Sequence, residues 1–455
     1  MHALKPPTAG DPPPIPGPHG HGKAPPAGPA RAGDAGPAED AEARVLRRGQ
    51  RTRRLIHVAR IPASKGRCLP WPDWVPAEVS QAFVRAGVCL PWAHQVAMAE
   101  HAHQGQNVII STPAASGKSL GYLLPALTAV LGGRSVLYLA PTRALAADQV
   151  HTVRALGLPG VRAAVVDGDT PAADREWARA HATYLITTPD MLHHMLLPRH
   201  GRWSGFFSRL AYVIVDECHG YRGVFGSHVG HVLRRVRRIA IHHGRSGHGG
   251  SGHGGGGSGH GGSDDSGRRP DGPVFMLASA TISEPGTCAR LLPGEAARED
   301  PESTAPRGQL TFGLWEPPFM ASRGGTGEAV RRSATMEAAR LLADLVAHDV
   351  RTLAFTRSRR GAEALALAAR RSLGDADAVN GGQGGIQRVA AYRSGYLPED
   401  RRQLEEALRA GPIVGLATTT ALELGVNITG LDAVLIAGWP GTRAAVWQQA
   451  GRAGR

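Results

Sequence analysis

The chain is short of cysteine and of long apolar runs, and each shortage excludes a class of protein. Its four cysteines, Cys68, Cys89, Cys218 and Cys288, are far apart and form no CxxC pair. This spacing supports neither a zinc module nor a disulfide framework, and it fits a reducing cytosol. No apolar run approaches the roughly 20 residues that span a bilayer, and the N-terminus lacks a signal-peptide core. We therefore expect a soluble, cytoplasmic protein with no membrane partner.

Lysine is also scarce, although the chain is strongly basic. Four lysines occur among 52 basic residues, and the formal net charge is +14. Such a charge favours a polyanionic partner but says nothing about the fold. Nucleic acid is the first candidate, and an anionic membrane surface is the second.

Composition divides the 455 residues into segments. Residues 1–50 begin with a Pro/Gly/Ala-rich stretch that contains 11 prolines in its first 40 positions, which predicts a disordered tail. Residues 243–272 contain 14 glycines and predict a flexible insertion. Its histidines, His248, His253 and His260, offer a metal tract as a weaker interpretation, and we assign them no metal.

Apolar β-type runs alternate with helical segments in two series. The first series is NVIIST, SVLYLA, RAAVVDG, TYLITTP, AYVIVDE and VFMLASA, and the second is RTLAFT, RVAAYRS, IVGLATT and AVLIAG. This alternation predicts βαβ units, and hence an α/β fold with parallel sheets. We expect two tandem α/β domains over residues 51–293 and 331–455, joined by a connector over 294–330.

The segment TPAASGKS follows the first predicted strand and is typical of a phosphate-binding loop. Gly117 lets the backbone approach an anion, Lys118 can reach the outer phosphates and Ser119 can ligate Mg²⁺. Thr112 stands where the full signature has its first glycine, so a fortuitous strand–loop–helix stays open as an alternative. The predicted nucleotide-binding loop residues are Thr112, Ala115, Ser116, Gly117, Lys118 and Ser119.

Acidic and basic residues complete the predicted chemistry. The run YVIVDECH delivers Asp216 and Glu217 to the carboxyl end of a strand, where α/β sheets bind ligands. Asp216 would hold the metal and Glu217 would orient or deprotonate the attacking water. The terminal QQAGRAGR carries Arg452 and Arg455, which can stabilise a transferring phosphoryl group across a cleft. A surface acidic pair and a basic helix end are the plainer interpretations.

In their order along the chain, these motifs resemble those of a known superfamily. GKS, DECH, Ser279-Ala280-Thr281 and QQAGRAGR resemble motifs I, II, III and VI of superfamily 2 DExH (DEAD/DEAH-box) helicases. PTRALAADQ, TTPDML and TTTALELGVNI resemble motifs Ia, Ib and V. A narrower resemblance is to the MrfA-like (YprA-like) DNA helicases, and it is carried by ECHGYRGVFGSHVGHVLRRVRR, LWEPP, AYRSGYLPEDRRQLEEALRAG and PGTRAAVWQQAGRAGR.

The resemblance implies two RecA-like P-loop domains that bind ATP and Mg²⁺ between them. The residues implied in catalysis are Lys118, Asp216, Glu217, Arg452 and Arg455, and Ser119 and Asp216 are implied as Mg²⁺ ligands. The residues implied in contacts with adenine and ribose are Gln95 and Asn427. The residues implied in gripping the nucleic-acid backbone are Pro141, Thr142, Arg143, Thr188, Pro189 and Thr419. The residues implied in coupling nucleotide state to this grip are His219, Ser279, Ala280, Thr281 and Gln448.

The family activity that follows is ATP-dependent 3′ to 5′ translocation on single-stranded DNA, with unwinding of duplex DNA in repair near the nucleoid. Asn427 stands where motif V usually has an aspartate. The sequence stops at Arg455, directly after motif VI, so we expect the end of the second motor domain and the family's four-cysteine site to be missing. A DNA-binding module with little ATPase activity and an RNA helicase are the alternatives.

Overall fold

The computed structural model describes residues 37–113, 116–246, 272–280, 284–300, 303–320, 329–380, 388–393, 395–422 and 430–454. The strands, in chain order, are β1 (Leu55–Ile61), β2 (Val108–Ser111), β3 (Ser135–Leu139), β4 (Ala163–Val166), β5 (Tyr184–Thr187), β6 (Leu210–Val215), β7 (Val274–Ser279), β8 (Arg298–Asp300), β9 (Leu310–Trp315), β10 (Thr352–Phe355), β11 (Val389–Tyr392), β12 (Gly415–Thr418) and β13 (Ala433–Ile436). The helices are α1 (Pro37–Arg51), α2 (Ala77–Arg85), α3 (Ala93–His103), α4 (Lys118–Leu131), α5 (Arg143–Ala155), α6 (Ala172–His181), α7 (Pro189–Met191), α8 (Ser204–Phe207), α9 (Gly223–Ser246), α10 (Pro285–Leu291), α11 (Ala334–Val346), α12 (Arg359–Asn380), α13 (Pro398–Ala410) and α14 (Arg443–Ala450).

The described strands form two parallel sheets and one ribbon. The first sheet has the order β4-β5-β3-β6-β7-β2-β8, and the second has the order β11-β12-β10-β13. All ten strands predicted from the apolar runs are present, so the α/β prediction is confirmed. β1 and β9 pair antiparallel as a separate ribbon. We call the first sheet and its helices the first lobe, and the second sheet with α11–α14 the second lobe.

Helices cover both faces of the first sheet, which explains its nearly continuous apolar strands. The core on one face contains side chains of α2 to α5. The core on the other face contains side chains of α6 and α8 to α10. Every residue of β2, β3, β5 and β7 is buried. The strand ends, and the loops that follow them, are therefore where this lobe can meet a ligand.

The predicted disordered tail is wrong for its last part. Residues from Pro37 onward form α1, and Ala41 of this helix is buried against Leu345 and Val350 of the second lobe. Arg48 also forms an ion pair with Asp344. The Pro/Gly-rich composition ends before α1, and the helix gains its stability from one apolar stripe. Residues 1–36 lie outside the described residues.

Two further predicted boundaries need correction. β8 lies in the predicted connector but pairs with β2 at the edge of the first sheet, and β9 pairs with β1. The predicted insertion began at residue 243, whereas α9 continues through Ser246. Residues 247–271, including the three histidines of the tract, lie outside the described residues. Within the described part of the chain, no helix is long and apolar enough to cross a bilayer.

Glu337 connects the ribbon with the second lobe. It is buried on α11 and accepts three hydrogen bonds. The donors are Arg54 (3.1 Å), Trp315 (3.0 Å) and Arg332 (2.6 Å). Arg54 precedes β1 and Trp315 ends β9, so one carboxylate holds both strands of the ribbon against α11.

Candidate functional site

The predicted site residues of the first lobe lie at one edge of its sheet, because parallel strands bring their carboxyl ends together. The nucleotide motifs follow β2, β7 and β6, which are adjacent in the sheet. The motifs assigned to nucleic acid follow β3 and β5, which are also adjacent. Strand order therefore separates the motifs predicted to bind nucleotide from those predicted to bind nucleic acid, and we call the two parts of the edge the nucleotide side and the nucleic-acid side.

The loop between β2 and α4 presents Lys118 as the first residue of the helix. Gly117 has a φ of +76°, in the left-handed region that favours glycine. Lys118 Nζ donates to the Thr112 carbonyl at 3.1 Å, and the hydroxyls of Thr112 and Ser116 lie 2.6 Å apart. Thr112 thus closes the loop with its side chain where the full signature has glycine. The exposed Ser119 completes a site with a cation, a hydroxyl and a helix N-terminus.

Two residues at the start of α3, His94 and Gln95, contact the backbone of this loop. Gln95 accepts the Trp92 N–H at 2.7 Å and donates to the Gly117 carbonyl at 2.7 Å. His94 Nε2 lies 3.0 Å from the Ser116 carbonyl. Burial lowers the pKa of His94, which favours a neutral ring that donates to this carbonyl. The glutamine implied in adenine binding therefore contacts the loop backbone in this structure.

A cavity of about 550 Å³ opens beside Gly117 and Ser119. Its walls are mostly apolar, come from α2, α4 and α5, and include Phe83 and Leu120. Gln95 also lines it. An apolar cavity next to a phosphate-binding loop suits the planar base of a nucleotide.

Asp216 and Glu217 follow β6, as predicted. Asp216 is buried, and its Oδ1 accepts the Glu217 N–H at 2.8 Å. Burial and the adjacent Glu217 carboxylate raise the pKa of Asp216. Glu217 has a φ of +47°, which is uncommon for a residue other than glycine. Backbone strain of this kind concentrates at functional sites.

Two tyrosines that the sequence analysis missed hold Asp216 in place. The hydroxyls of Tyr138 and Tyr122 donate to Asp216 Oδ2 at 2.5 and 3.2 Å. Both rings are fully buried, and a buried tyrosine hydroxyl needs a partner. The sequence held one signal for Tyr122: it follows Lys118 by four positions and therefore lies on the same face of α4 as the phosphate-binding lysine.

The acidic pair fits a divalent cation. Glu217 Oε2 is buried and accepts no hydrogen bond, although it lies 3.2 Å from His219 Nδ1. Mg²⁺ typically takes one or two protein oxygens together with phosphate and water oxygens, so Asp216 and Ser119 suffice as protein ligands. Among the residues that the structure describes, no group of three acidic, His or Cys side chains could hold a metal ion.

His219 connects the acidic loop with the second lobe. Its Nδ1 accepts the Ala280 N–H at 3.4 Å, and its Nε2 lies 2.5 Å from Gln448 Nε2 on α14. Burial, with the charges of Lys118 and Arg222, lowers the pKa of His219 to about 4, so the ring is neutral at pH 7. Because Nδ1 accepts, Nε2 carries the proton, and the amide oxygen of Gln448 is the matching acceptor after a flip of that amide.

The predicted coupling and arginine motifs converge on the same place. The Ser279 and Ser111 hydroxyls donate to the Ala280 carbonyl at 2.8 and 3.0 Å. Arg452, just beyond α14, is buried. The structure thus brings Ser279, Ala280 and α14 together around His219. The predicted site residues Ala115, Thr281, Asn427 and Arg455 lie outside the described residues.

The residues assigned to nucleic acid lie where strands end and helices begin. Thr142 and Thr188 cap α5 and α7, and each hydroxyl accepts a backbone N–H of the first helical turn, at 3.2 and 3.4 Å. Arg143 is exposed and forms an ion pair with Asp169. Thr419 follows β12 of the second lobe and is buried.

Two family models match the chain: the DEAD/DEAH box helicase over residues 92–286 and the helicase conserved C-terminal domain over residues 337–455. The chain is 35% identical over 392 residues to the uncharacterized ATP-dependent helicase YprA of Bacillus subtilis. It is 35% identical over 372 residues to the ATP-dependent helicase HRQ1 of Saccharomyces cerevisiae. The crystal structure of the DUF1998 helicase MrfA bound to DNA and AMPPNP is similar to it, with a TM-score of 0.77 and 33% identity. The chain belongs to the MrfA-like helicases.

This MrfA-like chain matches only part of each relative. The alignment with YprA covers 85% of the chain and 47% of YprA, and that with HRQ1 covers 80% of the chain and 32% of HRQ1. The match to the MrfA structure covers 91% of the chain and 53% of that structure. The chain thus spans about half or less of its relatives' length. The two tandem RecA-like domains expected from the motifs are confirmed, and the helicase family models support the expected binding of ATP.

Proposed function

We propose that the chain is an ATP-dependent DNA helicase. It hydrolyses ATP between its two lobes, moves along single-stranded DNA from 3′ to 5′ and unwinds duplex DNA in repair. The observation that carries this proposal is the contact between His219 and Gln448, which joins the acidic loop to the helix that precedes Arg452. The MrfA structure, solved with both DNA and AMPPNP, supports the two ligands.

The first lobe would supply most of the hydrolytic chemistry. Lys118 and the N-terminal N–H groups of α4 bind the outer phosphates. Ser119 and Asp216 hold Mg²⁺, which neutralises charge on those phosphates. Glu217 orients the attacking water or removes its proton. The adenine base would enter the cavity beside Gln95.

The second lobe would make hydrolysis depend on closure. Arg452 and Arg455 would stabilise the charge on the transferring phosphoryl group, an effect typically worth about 10³ to 10⁵ in rate. His219, with Ser279 and its neighbours, would report nucleotide state through the contact with Gln448. ATP bound between the lobes would contact both of them. The free energy of ATP binding would therefore favour their closure.

The nucleic-acid side would grip phosphates of a single strand. Thr142, Arg143 and Thr188 belong to the first lobe and Thr419 to the second, so a strand that crosses both would have two grips. Closure on ATP and opening after hydrolysis would change the spacing of these grips, and the strand would advance. Such contacts read no bases, so binding would depend little on sequence.

Two assignments depend on this function. We place the ATP-binding domain from α2 through β8 and the second motor domain from α11 onward, and the β1–β9 ribbon belongs to neither. A DNA substrate would place the protein at the nucleoid.

The test is steady-state ATP hydrolysis with single-stranded DNA, with RNA of the same sequence and without nucleic acid. We expect DNA to stimulate hydrolysis, and Lys118→Ala to reduce the stimulated rate by about 10² or more, because the outer phosphates lose their cation. Lys65→Ala, at an exposed lysine outside the loop, is the matched control.

The other outcomes identify the alternatives. DNA binding without hydrolysis would indicate a binding module, and greater stimulation by RNA would indicate an RNA helicase. Unchanged DNA-stimulated turnover in Lys118→Ala would reject the phosphate-binding assignment.

A further inference from the structure

Two of the four cysteines meet behind the acidic loop. The Sγ atoms of Cys218 and Cys288 lie 4.0 Å apart, although the residues are separated by 70 positions in the sequence. Cys218 follows Glu217 directly and is fully buried, whereas Cys288 lies on α10 and is partly exposed. The other two cysteines, Cys68 and Cys89, are exposed. The pair therefore combines an accessible thiol with a protected one.

The surroundings of Cys288 favour its reaction. The hydrogen bond with the neighbouring Cys218 thiol lowers the pKa of Cys288. Burial opposes this shift, and the positive charge of Arg222 reinforces it. The thiolate is the form of cysteine that attacks oxidants. A partly exposed, activated thiol beside a second thiol is the arrangement in which oxidation ends in a disulfide.

We propose that Cys218 and Cys288 form a reversible disulfide under peroxide stress and that this bond switches off the ATPase; the second part rests on the proposed function. The Cys288 thiolate attacks one peroxide oxygen, so an S–O bond forms, the O–O bond breaks and the other oxygen leaves as water after taking a proton. The Cys218 sulfur then attacks the resulting sulfenic sulfur. The S–S bond forms, the S–O bond breaks and a second water leaves with the Cys218 proton. Two electrons pass from the two thiols to the peroxide.

Formation of the bond requires movement, because a disulfide joins its sulfurs at roughly 2 Å. One side of the pair is firmly held. Arg234 donates to the Leu291 carbonyl at the end of α10 at 3.0 Å. Gly230 of α9 packs so closely that a Cβ there would lie 3.0 Å from the same oxygen. The position of α10 is therefore fixed at its far end.

The other side of the pair is a short turn. Cys218 begins a three-residue 3₁₀ turn, and it stands between Glu217 and His219. The turn therefore takes up most of the movement and displaces both neighbours. A misplacement of about 1 Å in a catalytic group can cost roughly 10²-fold in rate. The same thiols would be free in a reducing cytosol, where cysteine pairs that form disulfides are usually transient and redox-sensing.

The test treats the full chain with hydrogen peroxide. Peptide mapping without reductant should then find a Cys218–Cys288 cross-link, and DNA-stimulated ATP hydrolysis should fall roughly tenfold or more and return with dithiothreitol. Cys288→Ser should have normal activity and resist peroxide. A Cys68→Ser/Cys89→Ser variant should stay as sensitive as the parent chain, because it keeps the pair.

Three results would overturn the proposal: no cross-linked peptide after peroxide, a cross-link with unchanged hydrolysis, or equal inhibition of Cys288→Ser. Peptide mapping does not depend on ATPase activity. A reduced chain without ATPase activity would therefore contradict the proposed function alone, while the map would still decide whether the disulfide forms.

Discussion

At the residue scale, the conformation of Glu217 determines where its carboxylate lies. A left-handed φ costs a residue with a Cβ roughly 1 kcal/mol, and the hydrogen bond from the Glu217 N–H to Asp216 offsets part of this cost. The conformation leaves Glu217 Oε2 buried and without a hydrogen-bond donor. In the proposed mechanism, this oxygen would accept a hydrogen bond from the attacking water.

Glu217→Gln should separate nucleotide binding from hydrolysis. The amide keeps the size of the side chain but cannot remove a proton, so we expect ATP affinity within about threefold of the parent and turnover lower by roughly 10² to 10⁴. Fluorescent-nucleotide titration and steady-state hydrolysis measure the two quantities. Glu78→Gln, at an exposed position of α2, is the control. A parallel loss of binding and turnover would contradict the role as base or water orienter.

Sequence reasoning placed the charged residues of the site but not the groups that orient them. Lys118, Asp216 and Glu217 were predicted because phosphate and metal chemistry demands their residue types at fixed distances from a strand end. Tyr138 looks like an ordinary core residue in the sequence and Tyr122 is marked only by its spacing from Lys118, because the contact of both with Asp216 depends on the strand order. The strained backbone of Glu217 leaves no trace in composition.

At the element scale, the parallel strands were predictable and the β1–β9 ribbon was not. Strands buried on both faces are apolar along their whole length, which makes them visible in the sequence. The residues of β1 and β9 are mostly half-buried or exposed, and each strand depends on a partner far away in the sequence. α1 was missed for a similar reason, because its apolar stripe is narrow and its partner is the second lobe.

Glu337→Gln tests the attachment of the ribbon to α11. Burial alone would raise the pKa of Glu337, but hydrogen bonds from Arg332 and Trp315 and the charge of Arg54 outweigh it and hold the pKa below its usual value. We expect the substitution to reduce the free energy of unfolding by about 2 kcal/mol at neutral pH. Urea denaturation of both proteins measures this difference.

The pH dependence of that difference follows from the sign of the shift. A lowered pKa in the folded state contributes stability that is complete above the unfolded value of about 4.3 and is lost as the pH falls through the folded value. The two proteins should therefore converge in acid. Glu316→Gln, at an exposed ion pair with Arg331, should change stability by less than about 1 kcal/mol. A difference that persists in acid would show that the carboxylate charge is not what matters.

At the scale of the whole molecule, the proposed grip on single-stranded DNA predicts how binding responds to salt, and the net charge of +14 favours such a partner. A grip on about five phosphates of a single strand releases counterions, so affinity should fall roughly 10²-fold between about 50 and 200 mM salt. Titration of labelled oligonucleotides at several salt concentrations gives the slope.

Matched sequences and one variant sharpen that measurement. Two unrelated oligonucleotides of equal length should give the same slope, because phosphates carry no sequence information. Arg143→Gln should make the slope shallower by about 0.7, which corresponds to one lost phosphate contact. An affinity that hardly changes with salt would place the binding energy in base contacts instead.

The attachment of the ribbon to α11 also determines the order in which parts of the chain can fold during translation. Arg54 leaves the ribosome early, but its partner Glu337 is 283 positions further along the chain. At typical translation rates of about 5 to 20 residues per second, that interval is roughly 15 to 60 s. During this time α1 and β1 lack their partners while the first lobe can already fold. The segment from α1 to β1 therefore joins the rest of the molecule only after β9 and α11 have been synthesised.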